Sequence, residues 1–336
     1  MTKGIRRLNN CCLAGCTVLV VLLTFSVLSS GQEAAPGFAS NVAVAGANRP
    51  LEVPAEYVIT PFGYFHPSCV LMLAEGETLL ADGRVQHADG TVDTTAPACN
   101  YPHYTPTGSL AADIGDASGG GVLVINGWLE YISTTTTESY GKITATWPVP
   151  PAPTSNDGQT LFFFPGFEDY SNVISIVQPV MQFGPSAAGG GNWWAMSSWN
   201  CCISGDAWYS PLLDVSSGDT ILGRIAPNCK PGNNYCKTWN VVSEDKTTGK
   251  KTTLAKTPAD GQVWNWAFGA VTEDYGVVQC SDFPTNTGLT FTVHLFDQNR
   301  TRIADPGWQG TKAPPGTQPK CKYGVKVTKV KETVKY

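Results

Sequence analysis

Gly141-Lys-Ile-Thr-Ala-Thr-Trp-Pro148 alternates strictly, with Ile143, Ala145 and Trp147 on one side and Lys142, Thr144 and Thr146 on the other. Successive strand side chains point to opposite faces, so this pattern predicts a strand with one buried face. Thr160-Leu-Phe-Phe-Phe164 is continuously apolar, as expected of a strand buried on both faces. Ser175–Phe183, Thr220–Ile225, a hairpin from Lys237 to Leu254 turning at Thr248-Gly249, Ala267–Gln279 and Leu289–Asp297 continue the series. Short strands at regular spacing, with no amphipathic helix and no fixed-period repeat, predict an all-β chain built as an antiparallel β-sandwich. The composition agrees: among 336 residues there are 35 Gly and 24 Pro, and only 15% are charged, against about 25% in ordinary domains.

Residues 1–31 read as a signal peptide, with a basic start, an apolar run from about Thr17 to Leu28 and small residues before an expected cleavage after Gly31. Leu13-Ala14-Gly15-Cys16 resembles a lipoprotein box but precedes the apolar run instead of following it. Residues 32–56, rich in Ala, Gly and Pro, read as a flexible linker. Residues 57–106 form a small N-terminal hairpin module, with turn signals at Asp82-Gly83 and Asp89-Gly90. A Gly-, Ser- and Ala-rich joint over Thr107–Gly121 opens the sandwich domain, 107–310, and residues 311–336 form a lysine-rich strand or tail.

Charge narrows the function classes. The leader carries +3 and residues 311–336 carry +6, which leaves −14 over 32–310. Such a body repels a phosphate backbone, so no nucleic-acid partner is expected. No later stretch approaches the roughly 18 apolar residues of a membrane span, so the mature chain is expected to be secreted and free of the membrane. Eight Cys remain after the leader, an even number that predicts disulfides. Cys69 with Cys99, closing the small module, and Cys229 with Cys236 are the local pairings expected. No C-x-x-C pair and no H-E-x-x-H motif occurs, and His66, His87, His103 and His294 match no metal spacing, so neither metal nor cofactor is expected.

The remaining chemistry rests on carboxylates, amides and indoles. Parity places Gln178 and Gln182 opposite Val177, Pro179, Met181 and Phe183. In Ala267–Gly276 the same rule puts Gly269, Val271, Glu273 and Tyr275 on one side and Asp274 on the other. If both strands share a sheet, Glu273 and Gln178 could meet across it. A carboxylate that takes a proton from water, beside an amide N–H that stabilises an oxyanion, suffices for hydrolysis. Trp193, Trp194, Trp199 and Trp208 crowd one stretch around Gly189-Gly-Gly191, and about half of them are expected to line a groove for a polymer chain.

The order of these segments resembles the glutamic peptidases called eqolisins. Tyr140–Pro150 is similar to the family's opening strands, Phe164-Pro-Gly-Phe-Glu-Asp169 to its Trp-Val-Gly-Ile-Asp-Gly segment, and Ser175–Phe183 to the segment holding the catalytic glutamine. Trp193–Trp199, Val215–Ile221, Asp245–Lys250 and Val271–Tyr275 follow in the family's order, and the likeness runs from Gly127 to Asp297. It implies a concanavalin-like or glutamic-peptidase-like jelly roll, with Gln178 as the catalytic glutamine. The catalytic glutamate, aligned on Glu273-Asp274, falls on Gly269, so either the base has moved to Glu273 or the site has lost it. By position the small module resembles a propeptide.

Two functions follow as expectations. One is a secreted acid hydrolase acting on polypeptide, with Glu273 and Gln178 catalytic and Gln182, Trp193, Trp194, Trp199, Trp208 and Tyr275 lining the substrate groove. The other is a non-catalytic sandwich that holds polysaccharide through exposed indoles. A polysaccharide hydrolase using Glu168 and Asp169 is a third.

Overall fold

The computed structural model describes residues 49–95, 99–111, 128–172, 175–203 and 205–336. The expected signal peptide, most of the linker, Gly127 and the greater part of the joint lie outside the described residues.

Twenty strands are formed among the described residues. The N-terminal module supplies β1 (Val58–Thr60), β2 (Gly63–Phe65), β3 (Val70–Met72), β4 (Thr78–Leu79) and β5 (Val85–Gln86). The body supplies β6 (Trp128–Thr135), β7 (Lys142–Pro148), β8 (Thr160–Glu168), β9 (Ile176–Phe183), β10 (Trp194–Ile203), β11 (Asp206–Tyr209), β12 (Leu213–Asp214) and β13 (Thr220–Pro227). It continues with β14 (Thr238–Asp245), β15 (Lys251–Pro258), β16 (Trp266–Tyr275) and β17 (Leu289–Phe296). The chain ends in β18 (Gln309–Thr311), β19 (Gly324–Lys326) and β20 (Lys331–Lys335).

Nine strands make one sheet, ordered β18-β6-β16-β8-β9-β10-β11-β3 with β12 paired to β10, and seven make the other, ordered β15-β14-β13-β7-β17-β20-β19. All pairings within the two sheets are antiparallel except that of β3 with β11. The sandwich reading of the sequence is therefore correct. Between the sheets lie Ile143, Ala145 and Trp147 of the alternating strand, with Phe163, Phe167, Val177, Met181, Trp239 and Phe291. Gly141 is required here because the chain passes against Asp297: an added Cβ would stand 1.9 Å from the Asp297 carbonyl oxygen. Gly141→Ala is expected to cost about 3 kcal/mol, read as a lower urea midpoint with an unchanged slope.

The nine-stranded sheet is unusual in burying its second face as well. Trp128, Phe162, Phe164, Ile176, Val180, Trp199, Phe268, Val271 and Tyr275 form a second apolar cluster, together with Val53 and, from the N-terminal module, Tyr57, Ile59, Tyr64 and Phe65. Within the range expected to be a flexible linker, Val53 is buried and the Arg49 guanidinium donates to the carbonyls of Pro54 and Tyr57. The module also reaches the inter-sheet core through Leu73, Leu79 and Val85. It shares both cores with the sandwich, and the described residues belong to one compact unit.

Disulfides join Cys69 to Cys99 and Cys229 to Cys236, as the spacing suggested, and also Cys201 to its neighbour Cys202 and Cys280 to Cys321. The lysine-rich tail is thereby tied down: β18 extends the nine-stranded sheet, while β19 and β20 extend the other. No helix among the described residues is long and apolar enough to cross a membrane.

Candidate functional site beneath the N-terminal hairpin

Gln178 lies on β9 with Val177 and Met181 in the inter-sheet core on either side of its own parity, so its amide projects onto the outer face of the nine-stranded sheet. The expected orientation is correct. What the sequence did not reveal is that this face is covered: Gln178 and Gln182 are both buried. The cover over Gln178 is the turn between β1 and β2. The Gln178 Nε2 donates to the Pro61 carbonyl at 3.0 Å, and the Tyr275 hydroxyl donates to the adjacent Thr60 carbonyl at 2.9 Å. The Ala187 N–H, from the β9–β10 connection, donates to the Ile59 carbonyl at 2.8 Å. Tyr64 meets Tyr275 edge-on, with ring centroids 5.2 Å apart. A short piece of polypeptide is thus held across the sheet through three successive carbonyls.

The position of Glu273 needs correction. On one flank of β8, Glu273 pairs with Phe162; on the other flank Phe162 pairs with Gln182. Glu273 is therefore in register with Gln182, four residues from Gln178, or roughly 13 Å along the strand. Its carboxyl oxygen instead lies 2.6 Å from the Tyr275 hydroxyl. Burial holds the Glu273 carboxyl well above its ordinary range. The Tyr275 hydroxyl is within donating distance of both the Glu273 carboxyl and the Thr60 carbonyl; with one proton to give, it serves Thr60 fully only when Glu273 is the partner that carries the proton.

Gly269 also departs from its expected parity. A bulge between Phe268 and Ala270 interrupts the pairing of β16 with β6, and the extra residue reverses the alternation. Phe268 lies on the outer face with Val271, Glu273 and Tyr275. A Cβ at Gly269 would meet Val293, Trp308 and Glu332 instead, which places that position against the other sheet.

The carboxyl that register does bring beside Gln178 is Glu168. The β8–β9 ladder pairs Phe167 with Val177 and Glu168 with Ile176. Gly166 therefore stands opposite Gln178, and Glu168 is its diagonal neighbour, about 7–8 Å away between backbones and within reach of long side chains. Across β8, Gly166 pairs with Phe268 and Glu168 with Trp266. Glu168 is buried, its Oε2 has no hydrogen-bond partner, and burial pushes its carboxyl up to about 8. The parity signal for this was present in Phe162, Phe164 and Glu168, but a continuously apolar strand conceals which face is which. The neighbouring Asp169 is a loop brace, its two oxygens accepting the N–H groups of Ser171 and Val263.

Gln182 is not a substrate ligand in this arrangement. Its Nε2 donates to the carbonyls of Gly184 and Gly189 and its Oε1 accepts from Ser186, because the β9–β10 connection folds back over it. The four indoles also separate. Trp194 and Trp208 fill the inter-sheet core, contrary to a groove-lining role. Trp199, opposite Gln178 on β10, is buried on the outer face and stacked on Tyr209 at 4.9 Å. Trp193 alone of the four is largely exposed, with its Nε1 donating to Asp214. Large indoles fill sheet faces wherever the alternation points them inward, whatever the glycine content of the neighbouring loop.

His87 is bracketed by Glu77 at 2.7 Å and Asp93 at 2.9 Å on the exposed hairpin of β4 and β5. Among the described residues, Cys69, Cys99 and Asp206 come close enough together to hold an ion, but the two sulfurs are bonded to each other. Asp206 is buried beside them, and burial raises its carboxyl to about 7.

No protein-family model and no curated protein matches the chain. Solved structures do match. The likeness is to glutamic peptidases. Scytalido-glutamic peptidase, solved with a peptide-based transition-state analogue, matches at 14% identity and a TM-score of 0.46 over 62% of this chain and 98% of that one. SCP-B, a member of the eqolisin family solved with the tripeptide Ala-Ile-His, matches at 15% and 0.43 over the same shares. Aspergilloglutamic peptidase from Aspergillus niger matches at 15% and 0.38 over 53% of this chain and 98% of that one.

Proposed function

We propose that this chain is a secreted acid hydrolase of polypeptides, held latent by its own β1–β2 turn. The observation that carries the reading is the Gln178 amide donating to a peptide carbonyl, that of Pro61. An amide so placed in a buried site stabilises the negative charge that develops on a carbonyl oxygen under attack by water. The Tyr275 donation to Thr60 fixes the neighbouring peptide unit, the kind of positioning that turns a passing chain into a reactant. The four disulfides fit an extracellular address. Because the N-terminal module shares both apolar clusters with the sandwich, local lifting of the β1–β2 turn opens the site with less loss of packing than excision of the whole module. The polysaccharide-binding alternative is the weaker one, since it needs exposed indoles and three of the four candidates are buried.

Digestion of a denatured protein mixture from pH 3 to 7 tests the reading, with the chain's own intact mass followed in parallel. With the β1–β2 turn lifted, as in a chain carrying Gly63→Val, cleavage is expected to peak in acid. Gln178→Ala should lower it by about a hundredfold, the usual cost of one oxyanion donor, with an unchanged circular dichroism spectrum. A Gln178→Ala protein that cleaves as fast as the parent would sink the proposal.

A further inference from the structure

We propose that Glu168, on β8, is the catalytic carboxyl that works with Gln178. This rests on the hydrolase reading above and names the group that reading lacks. Three observations lead to it. Gln178 has no carboxyl in its own cross-strand row, because Gly166 and then Phe268 occupy the places opposite it on β8 and β16. Glu273 is displaced by four residues and engaged with Tyr275. Glu168 stands one diagonal step from Gln178, buried, with an oxygen that no described group satisfies.

Buried polar atoms are ordinarily paired. An unpaired carboxyl oxygen in a stable strand, with no cation beside it among the described residues, fits a group whose partner arrives with the substrate. Gly166 puts no side chain opposite Gln178, and the space a Cβ would take there is bounded by the Ile176 side chain at 3.5 Å, so water reaches Glu168 only once the covering turn lifts and Ile176 gives way.

The chemistry balances with water alone. With the β1–β2 turn lifted and the face hydrated, the desolvation that keeps Glu168 protonated is relieved and its carboxylate forms in mild acid. It takes a proton from the water as the water oxygen bonds to the carbonyl carbon, and Gln178 holds the resulting oxyanion. The protonated Glu168 then gives that proton to the amide nitrogen as the C–N bond breaks, leaving a carboxylic acid and an amine and restoring the carboxylate. Tyr275 grips the peptide at the adjacent carbonyl, as it does that of Thr60.

The test uses the full chain carrying Gly63→Val, a substitution at the covering turn, with hydrolysis of a quenched fluorescent peptide followed from pH 3 to 7. Adding Glu168→Gln should lower kcat by about a thousandfold at pH 4. Glu168→Asp should keep measurable activity with a shifted acid limb of the pH–rate profile. Glu332→Gln, between the sheets, should leave kcat within twofold. If the Gly63→Val chain hydrolyses peptide and the added Glu168→Gln changes kcat less than fivefold, Glu168 is not the catalytic carboxyl and the hydrolase reading stands. If the Gly63→Val chain hydrolyses nothing at any pH, although its turn is shown to be open by fast exchange of the Ala187 amide, both fall. A protonated carboxyl and an amide are nearly isosteric, so Glu168→Gln should melt at pH 4 within a few degrees of its parent. Should it fail to fold, Glu168→Asp decides: unaltered kcat and pH profile would overturn the assignment.

Discussion

A Gly63→Val chain should hydrolyse denatured protein in acid about a hundredfold faster than the unaltered chain. Gly63 adopts a φ of +127°, and a Cβ there would stand 2.3 Å from the backbone oxygen of Tyr104. No other residue holds that conformation cheaply, because the clash is with main chain and a β-branched side chain resists positive φ. The strain falls on the turn that places the Thr60 and Pro61 carbonyls over Tyr275 and Gln178, while the sandwich beneath is untouched. A local penalty of about 3 kcal/mol shifts the ratio of covered to open forms by roughly a hundredfold. Amide exchange provides an independent reading: the Ala187 N–H, which donates to Ile59 in the covered form, should exchange faster by a similar factor. Unchanged exchange together with unchanged activity would show that the turn tolerates the substitution and that its glycine is not what holds the cover down.

Stability should fall as pH rises from 4 to 8, with a loss in melting temperature of about 10 °C or more. Glu130, Glu168, Glu273 and Glu332 are all buried, and burial is the main cause that raises each of them: Glu130 to about 7, Glu168 and Glu332 to about 8, and Glu273 well above its ordinary value. In the unfolded chain these groups titrate near 4.3. Each therefore contributes stability that is fully present below that value and is lost as pH climbs through the folded one, at about 1.4 kcal/mol per unit of separation. The opposing groups are Asp82, Asp89 and Asp305, whose pKa values are lowered mainly by side-chain hydrogen bonds to Arg84, Thr91 and Lys329. Their contribution is present above the unfolded value and lost as pH falls through the folded one, but all three are exposed and screened. His87, raised chiefly by its hydrogen bond to Glu77, acts in the same direction as the buried carboxyls, and its exposure keeps the effect small. Melting curves from pH 3 to 8 decide the matter: a flat profile, or one rising toward pH 8, would show that these carboxyls ionise freely in the folded protein. Replacing Glu332 by Gln should flatten part of the slope without touching the outer face.

The pH behaviour and the cover are coupled through Glu273. While neutral it donates to Tyr275, which leaves that hydroxyl free to hold Thr60; once ionised it accepts the tyrosine proton, and the Thr60 carbonyl loses its donor. Raising the pH therefore weakens the grip on the β1–β2 turn as well as the sandwich, and acid is where both are tightest.

Much of this architecture is carried by local pattern. The alternation in Gly141–Pro148 specifies a half-buried strand, the parity of Ser175–Phe183 sends Gln178 and Gln182 away from Val177 and Met181, and two of the four disulfides follow from short spacings that close their own loops. Each depends only on the period of a strand or the reach of a loop, which neighbouring residues determine. The site was decided by long-range relations that no local pattern contains. A bulge beside Gly269 turned that position toward the other sheet, the β8–β9–β10 and β8–β16 registers set Glu168 rather than Glu273 beside Gln178, and a turn more than a hundred residues earlier in the chain covered Gln178 and Tyr275. Side-chain alternation has a period of two, so a single inserted residue exchanges the faces. Whether an outward-facing strand residue meets water or another part of the chain depends on what packs there, and that is fixed only when the whole protein folds.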